Sequence, residues 1–112
     1  MIDSHYLLAC ERALERLGYT AIDDGRCRSL SDSDGAKVAT LPPAERYAVW
    51  LLDSMLVGLR AAAKGDATLA LRSWQVCDYC GRTGGWPGPA IGDAFLTLRN
   101  WLEDTVRPTR AS

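Results

Sequence analysis

With 112 residues the chain holds one domain's worth of sequence, and thirteen Lys and Arg against fourteen Asp and Glu leave a net charge of −1. That balance excludes a protein that grips nucleic acid by bulk phosphate neutralisation, which needs a clear basic excess, and it equally excludes an acidic mimic of DNA. A hydrophobic fraction of 47% beside 24% charged residues is globular composition, no apolar run nears the roughly 18 residues of a membrane span, and Met1-Ile2-Asp3-Ser4-His5 has neither a basic leader nor an apolar signal core, so the expected compartment is the cytoplasm.

Taken in chain order, the pattern predicts an all-α fold: a small four-helix domain over residues 1–112, with a long polar loop after the first helix, assembled as a helical homodimer. The first helix is expected over 4–17. Asp3 or Ser4 offers a short side-chain oxygen as cap, Gly18 is placed to end the helix left-handed, and Tyr6, Cys10, Ala13, Leu14 and Leu17 recur as one apolar stripe. Residues 19–40 form the polar connection, with turn signals at Asp23-Asp24-Gly25 and at Ser31-Asp32-Ser33-Asp34-Gly35. Between them lies either a small hairpin, pairing 19–22 with 26–30, or a surface loop anchored by Ile22, Cys27 and Leu30.

A second helix is expected over 42–64, capped by Thr40 or Leu41, with Pro42 and Pro43 in its first turn and Gly65 at its end. Its apolar residues occupy most of the circumference, and Arg46, Asp53, Arg60 and Lys64 make only a narrow polar strip. A surface helix usually shows an apolar stripe a little over 100° wide. Three further helices can hardly surround so apolar a rod, so a second copy is expected to cover one side, with Trp50, Leu52, Met55, Leu56 and Leu59 at the dimer interface. Asp53 is read as part of a solvent-facing strip with Arg46 and Arg60, a buried carboxylate being the alternative. A third helix, 66–80, starts on Asp66 as N-cap and ends at Gly81. The short joint Lys64-Gly65 makes it the antiparallel neighbour of the second. After a Gly/Pro-rich turn holding Trp86, the last helix runs over 90–106 with Ile91, Phe95, Leu98 and Leu102 as its seam and Pro108 as its stop.

Local chemistry is sparse. Cys77-Asp78-Tyr79-Cys80 falls near a helix C-terminus, where the dipole disfavours thiolate, so it makes a poor redox pair. As a zinc knuckle it is half a pattern, which Cys10 and Cys27 would have to complete. Buried structural thiols are the preferred reading, since free Cys is among the most buried residue types. His5, the one histidine, lies beside a helix start with no nucleophile elbow elsewhere, and Gly84-Gly85 with Gly88 lacks the Lys-Ser/Thr ending of a phosphate loop. No enzyme activity and no cofactor is therefore expected. Four tryptophans are more than a chain of this size ordinarily carries, and Trp is enriched at interface hot spots. Trp86 is either a lid over the bundle end or a partner contact. With Phe95, Leu98 and Trp101 it forms the expected partner-binding surface.

A small, near-neutral, all-helical chain with an oversized apolar central helix, opening Met1-Ile2-Asp3-Ser4-His5-Tyr6-Leu7-Leu8, resembles the antiactivators of quorum sensing. The resemblance implies a dimeric inhibitor that binds a LuxR-type transcription regulator and keeps it from dimerising and holding DNA, without touching nucleic acid or membrane itself. Two other readings remain: a phage or mobile-element inhibitor of the anti-CRISPR type or an immunity protein, and a small zinc- or redox-responsive regulator using Cys77 and Cys80.

Overall fold

The computed structural model describes residues 2–23 and 28–111, with side chains to residue 105 in the last helix. It is all-helical, with no strand among the described residues: α1 (Ser4–Arg16), α2 (Asp32–Ala39), α3 (Pro43–Ala63), α4 (Ala67–Gly84) and α5 (Pro89–Ala111). α1, α2 and α4 each begin where a side-chain oxygen accepts a free backbone N–H, whereas α3 starts on Pro42-Pro43 without one. At the start of α1, Asp3 Oδ1 accepts from the His5 N–H at 3.0 Å. At its end the N–H groups of Gly18 and Tyr19 turn back to the carbonyls of Glu15 and Leu14, with Gly18 at φ +93°. The same closure ends α3. Gly65 and Asp66 donate to Ala62 and Ala61, after which the Asp66 carboxylate accepts from the Leu69 N–H and opens α4.

The connection after α1 differs from expectation. Residues 32–39 are a helix, α2, and not part of a loop. Ser31 Oγ accepts from the Asp34 N–H at 3.2 Å, and Asp32 and Asp34 sit in the first turn, where the helix dipole favours carboxylates. Val38, fully buried, ties the helix to the core. Thr40 closes α2 through Lys37 O and does not cap α3, which takes Pro42 at that position and Pro43 at its first turn. No hairpin forms among the described residues. Among them, one backbone bond, Ile22 N–H to Ser29 O at 2.8 Å, joins the two segments expected to pair in it, and Cys27 lies outside the described residues.

Two further boundaries move. α4 continues through Gly81 to Gly84, and Gly85 at φ +88° ends it. α5 passes Pro108 and runs to Ala111. Proline withdraws one donor, but its fixed φ is itself helical, so the backbone can continue past it.

α3 is the axis of the molecule. α4 packs antiparallel along its length, α5 packs on both α3 and α4, α1 packs on α3 and α5, and α2 rests on α3. Leu51, Leu52, Met55, Leu56 and Leu59 are fully buried within the one chain, against Cys10, Leu14, Val38 and Leu98. The leucine and methionine stripe of α3 is thus enclosed by its own chain, with α2 and the described parts of the α1–α2 connection adding to the expected coverings, while Trp50 stays open. Among the described residues no helix is long and apolar enough to cross a membrane.

Candidate protein interface

Two members of the polar strip of α3, Asp53 and Arg60, are engaged by the chain and do not simply face solvent. Asp53 Oδ1 accepts from the backbone N–H of Ser29 at 2.5 Å and from its hydroxyl at 2.6 Å, and Ser29 is fully buried. Two turns along, Arg60 donates to the carbonyl of Ile22 at 2.8 Å and lies 3.8 Å from both Glu11 and Asp23 carboxylates. The strip is a seat for the segment between α1 and α2, which corrects the solvent-facing expectation for Asp53 and Arg60.

The three described cysteines serve the core. Cys10 and Cys77 are fully buried, Cys80 nearly so. The Cys77 thiol donates to Leu51 O at 3.5 Å. Burial pushes the Cys10 thiol up to about 12 and raises those of Cys77 and Cys80 as well, so all three hold their protons near neutrality. No group of three or more His, Cys, Asp or Glu stands ready to hold a metal ion among the described residues.

The expected partner surface divides. Leu98 is fully buried and Phe95 almost so, both within the core cluster; Trp101 is half-buried. Phe95 stacks on Trp74, ring centroids 5.0 Å apart, and meets Trp86 at a tilt with centroids 4.6 Å apart. Gly81 explains the second contact. A Cβ there would fall 2.5 Å from Cζ2 of Trp86, so the missing side chain makes room for the indole to lie on α4. Trp86 remains 41% exposed above this seat. Of the five expected dimer residues, Leu52, Met55, Leu56 and Leu59 are enclosed by the chain, and Trp50 alone is open, at 37%.

Trp50 belongs to a face that the sequence pattern concealed. On α3 and α4, Trp50, Val76 and Tyr79 are large apolar residues left exposed. Tyr47 lies between Trp50 and Tyr79, with ring centroids 5.8 and 6.0 Å away and both pairs edge-on. A hydrogen bond shared with Tyr79 pushes the Tyr47 phenol up. The Arg46 guanidinium stands 5.3 Å from the Trp50 ring centroid, and its Nε is buried with no hydrogen-bond partner. One turn along α4 from Tyr79, Val76 and Arg72 line a shallow hollow with Gln75. Val76 is 45% and Tyr79 54% exposed. Tyr79 was hidden inside the Cys-Asp-Tyr-Cys string. The available signal was the cluster Arg46, Tyr47, Trp50, which puts a cation and two large rings within about one turn of α3.

The chain matches no family model, no curated protein and no solved structure.

Proposed function

We propose that this chain is a protein-binding inhibitor that works by covering an apolar surface on another protein, and that its target is a LuxR-type transcription regulator whose dimerisation, and with it DNA binding, it blocks. One observation carries the protein-binding part: an aromatic face on α3 and α4, with Trp50, Tyr79 and Val76 exposed and the half-buried Tyr47 bridging the two rings. Exposed rings of this size, held by packing at low further entropic loss, are the residues that dominate protein–protein binding energy. The target follows from the resemblance to quorum-sensing antiactivators.

The test is a titration of a purified LuxR-type regulator with its ligand bound. Rising amounts of this protein are expected to convert the regulator dimer, followed by light scattering, into a mixed complex, and to release operator DNA in a gel shift. Trp50→Ala and Tyr79→Ala should each weaken the mixed complex by about 2 kcal/mol or more, the scale of an interface hot spot. An unchanged regulator dimer at saturating inhibitor would remove the regulator as target. Full potency of both alanine variants would remove this face as the site.

A further inference from the structure

We infer that the α3–α4 face receives an amphipathic helix of another protein that carries carboxylates beside its apolar stripe; this rests on the protein-binding reading above and names the chemistry of its partner. Charge complementarity is the ground. Arg46 stands at one end of the face and Arg72 at the other, and neither is paired with a carboxylate among the described residues. α3, α4 and their joint hold four acidic residues, and all are directed elsewhere. Asp53 is engaged by Ser29, Asp66 caps α4, and Asp78 pairs with Arg82 at 2.9 Å. Glu45 lines a separate hollow with Arg16, Leu17 and Leu41. The face is therefore apolar and aromatic in its middle, cationic at both ends, and without an anion of its own, although the whole chain has a net charge of −1.

A second copy of this chain fits poorly there. Across a two-fold axis the patch meets itself, which brings arginines to arginines with no carboxylate between them. Nucleic acid fits poorly as well, because two cations on a net-negative chain supply little of the phosphate neutralisation that such binding draws on. A helix with a leucine-type stripe seats its side chains beside Trp50, Tyr47 and Tyr79, and flanking carboxylates reach Arg46 and Arg72. This is the helix-on-groove mode, with charge setting orientation and partner choice.

Two synthetic probes test it: a fluorescein-labelled amphipathic helical peptide of about 18 residues with leucines at helical spacing flanked by glutamates, and its twin with lysines in place of the glutamates. Anisotropy with the intact protein at low salt should show the glutamate peptide binding about tenfold tighter than the lysine peptide, with the preference shrinking as salt is raised. Arg46→Glu with Arg72→Glu should invert the preference. Arg72→Glu alone, at an exposed site, should reduce it without moving the thermal midpoint. Equal binding of both peptides, abolished by Trp50→Ala, would overturn the charge inference and leave the protein-binding reading standing. Binding of neither peptide would also overturn it, the regulator titration then judging the proposed function separately. Sedimentation showing that the wild type dimerises and that Tyr79→Ala is monomeric would overturn it too, in favour of a second copy on this face.

Discussion

Ser29 and Asp53 are 24 positions apart, yet their contact decides how the chain between α1 and α2 lies on α3. The carboxylate satisfies a buried N–H and a buried hydroxyl together. Removing it leaves the buried Ser29 N–H without an acceptor and the hydroxyl with only the Asp53 carbonyl at 3.2 Å, which costs more than one bond contributes. Asp53→Ala is expected to lower stability by about 3 kcal/mol, and Asp53→Asn, which keeps an acceptor oxygen, by less. A double-mutant cycle with Ser29→Ala in urea should show clear non-additivity, whereas additive losses would mean that the two side chains act independently. Helical periodicity marked Asp53 as polar and off the leucine stripe, and that much was legible. What lies over it was not, because its partner is remote in sequence and masked by turn residues. The buried thiols carry a pH signature. Cys10 is raised from 9.0 to about 12 in the fold, so its neutral form is favoured there. The stability this gives is fully present below about pH 9 and is lost as pH rises towards 12, because only the unfolded chain ionises freely in that window. Between about pH 8 and pH 11, wild type should therefore lose more stability than Cys10→Ala, as read from urea midpoints. Parallel declines would show that the thiol titrates alike in both states.

Among the helices, boundaries set by local chemistry were the legible ones. Asp3, Gly18, Gly65 and Asp66 act through atoms two to five residues away, so the sequence displays cap and capped group together. α2 was not legible, since Ser31-Asp32-Ser33-Asp34 serves a turn and a helix N-terminus equally well; the burial of Val38 tips it towards helix. Gly81 misleads for a different reason: it makes room for Trp86 and ends nothing. Gly58 is used in the same way at the crossing of α3 and α4. A Cβ there would lie 2.9 Å from Cδ2 of Leu98 and 3.2 Å from Cβ of Ser73. Alanine is the better helix former by up to about 1 kcal/mol, but overpacking a close crossing costs about 1–3 kcal/mol. The second effect wins because Ser73 Cβ is fixed to α4 and cannot swing aside. Gly58→Ala should thus be destabilised by about 1 kcal/mol in thermal unfolding. A stabilised variant would show that α4 and Leu98 yield more easily than the crossing implies.

For the molecule as a whole, the balance turns on what surrounds α3. Three neighbouring helices are too few for so broad an apolar girth, and a second copy is the remedy the sequence suggests; with α1, α2, α4 and α5 in place and Ile22 and Ser29 held on α3, the leucine stripe is already covered and only the Trp50 side stays open. The apolar periodicity of α3 was therefore legible as a quantity of surface to be buried, while its allocation between chain and partner was not. That allocation depends on where an eight-residue helix and a polar loop settle. Folding and self-association should accordingly be separate events. A fold completed by a second copy melts at a temperature that climbs with protein concentration, because mass action favours the associated state. Here the thermal midpoint is expected to stay constant from about 1 to about 100 μM, within the spread of repeated scans. Leu56→Asp sharpens the distinction. In a seam between copies the charge would split a dimer into folded subunits; in an enclosed core it is an unpaired buried charge that costs several kcal/mol. Leu56 has no exposed surface in the single chain, so the variant should lose its helical circular dichroism outright, whereas a folded, monomeric Leu56→Asp protein beside a dimeric wild type would return α3 to the subunit interface.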